Sequence, residues 1–113
     1  MNPVFPIETA GLSEDLVGRF FKLDADGAFA PVDSAADAHA GCLDHALSET
    51  KGGLAIIGSR TRVRVAGAVP QFGFGRLNAD GTASAAQGAE GERRCCQFLQ
   101  PGTDGELVAA VIL

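Results

Sequence analysis

Apolar and polar residues alternate over short stretches along most of this chain, and turn-forming dipeptides separate the stretches. The clearest case is Thr61-Arg62-Val63-Arg64-Val65, where two valines would face one side of a strand and two arginines the other. The same reading predicts strands over Val17 to Leu23, Ala28 to Val32, Gly41 to Leu47 and Leu54 to Ile57. It continues with Gln71 to Leu77, Thr82 to Ala86, Arg94 to Leu99 and Glu106 to Leu113. Asp26-Gly27, Lys51-Gly52-Gly53 and Asp80-Gly81 read as turns, and Gln87 to Gly91 as a loop. The alanine-rich run Asp33 to His39 is long enough for one helical turn. Residues 1–13 stand apart: Pro3 and Pro6 oppose a regular helix, so this segment reads as an extended N-terminal arm whose Val4, Phe5 and Ile7 need a surface to rest on.

A repeat organises these elements. Leu23-Asp24-Ala25-Asp26-Gly27 returns as Leu77-Asn78-Ala79-Asp80-Gly81, with Phe20 in step with Phe74, Lys22 with Arg76 and Cys42 with Cys96. After a one-residue slip, Gly52-x-Leu54-Ala55 matches Gly105-x-Leu107-Val108. Two halves, over about residues 16–66 and 70–113, are each too small to bury a core alone and must pack on one another. Two copies are too few for a solenoid. The expectation is therefore an all-β fold, a small barrel or sandwich of two pseudo-repeated halves, forming a single domain over residues 14–113 behind the arm. Fifteen glycines and the lack of a long amphipathic pattern point the same way.

Charge narrows the partners. Asp and Glu outnumber Lys and Arg by 14 to 9, giving a net charge of −5. That balance opposes sequence-independent nucleic-acid binding and adhesion to anionic membranes, both of which need a cationic face. The longest apolar stretch, Leu107 to Leu113, has only a strand's length, so no transmembrane segment is expected. Met1-Asn2-Pro3 lacks the basic start of an export signal. Three cysteines, two of them neighbours, do not form a disulfide framework, which places folding in a reducing cytoplasm.

Candidate chemistry is sparse. The Asp-Ala-Asp-Gly turn fails as a calcium loop, because aligning its glycine puts Lys22, or Arg76 in the second copy, at the first ligand position. His39, Cys42 and His45, with Cys95-Cys96 approaching from the other half, offer nitrogen and sulfur ligands for zinc. However, residues three apart on a strand point to opposite faces. Arg93-Arg94 beside Cys95 could lower its thiol pKa, but no base is tied to it and alternation should bury only one of the two neighbouring thiols. Gly73-Phe74-Gly75 lacks the lysine and helix of a phosphate loop. Glu49-Thr50-Lys51 resembles part of a lipoyl-domain hairpin, although the flanking residues do not follow that pattern. No catalytic, cofactor-binding or metal-binding residues are assigned, and no cofactor is expected.

Gly18-Arg19-Phe20-Phe21-Lys22-Leu23-Asp24-Ala25-Asp26-Gly27, the connection ending in Ala40-Gly41-Cys42, and Gly52-Gly53-Leu54-Ala55-Ile56-Ile57 carry a family likeness. With their echoes in Phe74 to Gly81 and Gly105 to Val108, they make the chain resemble the capsid cement, or head decoration, proteins of tailed bacteriophages. The resemblance covers about residues 16–113. It implies a non-enzymatic, β-rich virion protein, made in the host bacterial cytoplasm, that binds the outside of an expanded shell. The implied partners are the major capsid protein and two further copies of the chain in a trimer. Within that expectation Val4, Phe5 and Ile7 are the candidate capsid or subunit contacts. The alternatives are a small β-domain binding a metal or ligand through the His39, Cys42 and His45 region, and a component of the phage tail or baseplate.

Overall fold

The computed structural model describes residues 4–113 and is all-β, with ten strands in two five-stranded antiparallel sheets. The first sheet contains β1 (Val4–Glu8), β2 (Phe20–Leu23), β3 (Phe29–Pro31), β4 (Gly41–Ala46) and β5 (Lys51–Ala55). The second contains β6 (Arg60–Arg64), β7 (Phe74–Leu77), β8 (Ala83–Ala85), β9 (Arg94–Phe98) and β10 (Leu107–Ile112). The strand orders are β1-β5-β4-β2-β3 and β6-β10-β9-β7-β8, one topology used twice. The repeat is therefore a structural duplication, with the halves meeting between Ala55 and Arg60.

The turn dipeptides set the register. Phe21 pairs with Pro31 and Leu23 with Phe29 in the first hairpin, and Gly75 pairs with Ala85 and Leu77 with Ala83 in the second. Both turns place a glycine in the left-handed region, Gly27 at φ 81° and Gly81 at φ 84°. In the first, the Asp24 carboxylate accepts from the N–H groups of Asp26 and Ala28, at 2.9 and 3.0 Å. In the second, Asp80 accepts from the Thr82 N–H at 3.0 Å and its hydroxyl at 2.6 Å. These carboxylates are occupied by their own turns.

The N-terminal segment is extended, and it is built into the first sheet. β1 is an edge strand paired antiparallel with β5, Val4 opposite Ala55 and Glu8 opposite Lys51. The Thr9 N–H donates to the Thr50 carbonyl at 2.8 Å, which in this register turns the backbone groups of Phe5 and Ile7 toward β5 and those of Pro6 outward. Proline thus falls where its missing N–H costs the ladder nothing and blunts the free edge. Each sheet also curls on itself: the Thr9 hydroxyl donates to the Phe29 carbonyl at 2.8 Å, and in the second half Val65 bridges Ala83.

Two expected local elements take other forms. Asp33 to His39 makes a single hydrogen-bonded turn and no helix: the Asp37 N–H donates to the Ser34 carbonyl at 3.1 Å, the Asp37 carboxylate accepts from the N–H groups of Asp33 and Ser34, and both Asp33 and Asp37 engage Lys22. Lys51-Gly52-Gly53 belongs to β5. The turn before it uses Ser48, whose hydroxyl oxygen accepts from the N–H groups of Thr50 and Lys51.

Two apolar clusters hold the fold together. Ile7, Leu12, Phe21, Leu43 and Leu54 fill one face of the first sheet, capped by Leu16 and Val17 from the connection that carries the short 3-10 helix Glu14–Leu16. The opposite face supplies Phe20, Val32, Cys42 and Ala55 to a larger cluster with Val63, Leu77, Phe98, Val108, Ala110 and Ile112 of the second half. Phe20, Phe21 and Phe98 are completely buried, each removing apolar area that stabilises the fold by about 1.5–3 kcal/mol.

Candidate functional site

The residues singled out in β1 have different fates. Val4 and Phe5 are 37% and 50% exposed, whereas Ile7 is 5% exposed and belongs to the first cluster. Phe5 leans on Phe29 of the opposite edge strand, ring centroids 6.1 Å apart and planes tilted by 55°, and half of its surface stays exposed. The accessible apolar surface of this segment is therefore Val4 and Phe5, on opposite faces of β1, with Ile7 buried on the same face as Phe5.

The nitrogen and sulfur groups do not converge. Cys42 is fully buried on the face toward the second half. His39 lies edge-on to the Phe20 ring, centroids 4.8 Å apart. His45 holds its Nδ1 3.0 Å from the Asp44 carboxylate. Among the described residues no group of three His, Cys, Asp or Glu side chains is placed to bind a metal ion.

Both neighbouring thiols are buried, contrary to simple alternation. The cause is a bulge: Gly75 pairs with Cys96 but Arg76 pairs with Arg94, leaving Cys95 as the extra residue on β9. Its sulfur lies 4.0 Å from that of Cys96 and 3.6 Å from the Gly75 carbonyl. The contact with Cys96 and burial raise the Cys95 thiol pKa far above its ordinary value, and burial does the same for Cys42. The adjacent arginines therefore do not create a thiolate nucleophile.

Asp44 supplies the carboxylate of an open depression formed with Val17, Arg60, Thr61 and Arg62. Burial opposes its ionised form, but contacts from His45 and the Thr61 hydroxyl, the latter at 2.7 Å, outweigh it and lower the pKa. This is not a nucleophile–base arrangement, since Thr61 donates to the carboxylate and not to the imidazole. Lys51 is exposed at the start of β5.

A second surface was not legible in the sequence. Phe72 is 61% exposed with its backbone at φ 63°, the only non-glycine residue in the left-handed region among those described. Its N–H donates to the Phe98 carbonyl at 2.7 Å and its own carbonyl accepts from Gln97 Nε2 at 3.0 Å, which lock the conformation. Phe74 follows on the outer face of the second sheet, with the Arg94 guanidinium 4.6 Å from its ring centroid. Pro70 and Gly73 signal a turn here, but no local pattern signals an outward phenylalanine.

No protein-family model matches the chain, and no curated protein sequence matches it at a significant level.

Proposed function

We propose that this protein is a structural virion component that binds the outside of the expanded capsid of a tailed bacteriophage and stabilises it. The observation that carries the reading is the duplicated five-strand unit: two sheets locked by one shared core make a rigid body, and its edge strand β1 presents Val4 and Phe5 to a partner. The family resemblance of residues 16–113 supplies the identity of that partner, the major capsid protein, and the expectation of a trimer at the capsid surface.

The physical role follows from linkage. A clip that binds only the expanded lattice lowers the free energy of that state, by about 2.7 kcal/mol per site when free protein is at a hundredfold excess over Kd. Attachment through β1 would use side chains and not an added strand, because Pro6 interrupts the outward row of N–H donors. Val4 and Phe5 would then lose their water on contact.

Co-sedimentation with expanded and unexpanded empty shells tests this reading. The expected result is saturable binding to expanded shells alone, at a fixed ratio to the capsid subunit, and weakened at least tenfold in the Val4→Ser/Phe5→Ser double variant. Binding to neither form, or equally to both, would reject the proposal. Unchanged binding of the double variant would remove β1 from the interface.

A further inference from the structure

The duplication exposes a surface that one half covers and the other leaves open. Phe20 and Phe74 are equivalent positions on β2 and β7, because the two hairpins share a register. In the first half the Phe20 face packs against the second half and Phe20 is fully buried. In the second half the same face looks outward, where Phe74 and Arg76 alternate with the buried Gly75 and Leu77. Its occupant is not a second copy stacked in the same manner. The complementary face of the first half is already capped by Leu12, Leu16 and Val17, which closes head-to-tail stacking at that end.

Charge indicates what would fit. Arg76 sits directly opposite Arg94 in the β7–β9 ladder, with Arg93 next to it. Like charges directly opposed in a ladder are destabilising. Among the described residues none of these three arginines forms an ion pair with a carboxylate, and Arg76 Nε is buried without a hydrogen-bond partner. By contrast, Arg64 donates to the Gly105 carbonyl, and Arg19, whose Nε is likewise buried without a partner, donates through Nη1 to the Asp80 carbonyl. Glu90 and Glu92 share a depression with Arg76 and Arg93, and Asp37 shares one with Arg93 and Arg94. The Glu92 and Asp37 carboxylates accept from backbone N–H groups, Asp37 also pairs with Lys22, and none of the three acids forms an ion pair with these arginines. Along the chain, residues 1–56 hold nine of the fourteen acidic residues and only three of the nine basic ones.

We propose that Phe72, Phe74, Arg76 and Arg94 form a second interaction surface, which docks an acidic polypeptide segment of a partner protein. Carboxylates of the partner neutralise the opposed arginines, and Phe72, held outward by a strained backbone, packs on the apolar part of the same segment. Exposed aromatics combined with arginine are the composition of interface hot spots. Single-stranded nucleic acid is a poorer match, because Arg94 already covers the Phe74 ring that a base would stack on. This surface stands independently of the capsid reading, since it lies on the other sheet from Val4 and Phe5 and requires only a partner with an acidic tail or loop.

The test is an amide-resolved NMR titration of the full chain with a short peptide of glutamates around a central leucine, and in parallel with a single-stranded oligonucleotide of similar charge. Saturable peptide shifts centred on residues 72–76 and 93–97, weakening as salt rises from about 50 to about 300 mM, are expected. Arg94→Gln should reduce affinity about tenfold, the scale of one charge-assisted hydrogen bond. Phe72→Gly should also weaken binding while leaving the fold at least as stable, because it relieves the left-handed strain. Shifts centred on Arg60, Arg62 and Arg64, no saturable shifts, an equal or stronger oligonucleotide response, or unchanged affinity in both variants would each overturn the proposal.

Discussion

Phe21 in the first half and Gly75 in the second occupy the same place on the second strand of their sheets, yet one is a large side chain and the other has none. The same inversion occurs at Leu54 and Ala110, which sit opposite Phe5 and Thr61 in equivalent strand pairs. The second half makes up the volume from a different strand. A Cβ on Gly75 would lie 2.6 Å from the Cys96 sulfur and 2.8 Å from the Phe98 ring, so those two side chains fill the space that Phe21 fills in the first half. The two halves therefore retain strand order and hairpin register while redistributing bulk, as expected if interior volume is constrained more tightly than the position of any one residue.

The comparison can be broken at its centre. Phe98→Ala should cost about 3–5 kcal/mol, as should Phe21→Ala, measured by urea unfolding monitored by circular dichroism. Gly75→Val should cost about 1–3 kcal/mol through overpacking. Combined with Phe98→Ala, it should lose less than the sum of the two single changes, because the valine enters the space vacated by the ring. Strict additivity would show that Gly75 and Phe98 do not share that space.

Alkaline pH probes the buried thiols next. Cys42 and Cys95 have folded pKa values raised above those of an exposed thiol, so their contribution is intact below the unfolded-state pKa. Above it the unfolded chain releases protons that the folded chain retains, and stability falls by about 1.4 kcal/mol per thiol for each further pH unit. Cys42→Ala and Cys95→Ala should each flatten the decline measured between about pH 9 and pH 10.5.

A smaller effect is expected at the second turn. Burial opposes ionisation of Asp80, but bonds from Thr82 prevail and lower its pKa, so its stabilisation is present above the unfolded carboxylate value and is lost as pH falls through the folded one. Asp80→Ala should cost about 1 kcal/mol at neutral pH, with the difference from wild type shrinking in acid.

Much of the architecture was legible because it depends on local pattern. Alternation around Val63 and the two Asp-Gly turns located the strands, and the repeated Phe-x-cation-Leu phrase before each turn revealed the duplication. The match of Gly52-x-Leu54 with Gly105-x-Leu107 was a coincidence of composition: Gly52 lies inside β5, while Gly105 is a turn residue before β10. The division between halves was also displaced, because β6 follows β5 closely and the place of Val4–Glu8 as the counterpart of β6 depends on non-local pairing. The same limit applies to the site. Val4 and Phe5 were visible as apolar residues beside prolines, but separating Phe5 from Ile7, which shares its face, required knowing that the cluster closes over Ile7 alone. The bulge that buries Cys95 with Cys96 and the outward Phe72 arise from tertiary constraints on β9 and the preceding loop.

Electron cryomicroscopy of expanded shells mixed with the protein would test the functional account most directly. The account predicts additional density on the outer capsid surface, fitted by the two-sheet body with the Val4 and Phe5 edge against the shell. Shells without such density at saturating protein, or a bound body whose β1 edge faces away from every neighbouring subunit, would contradict it.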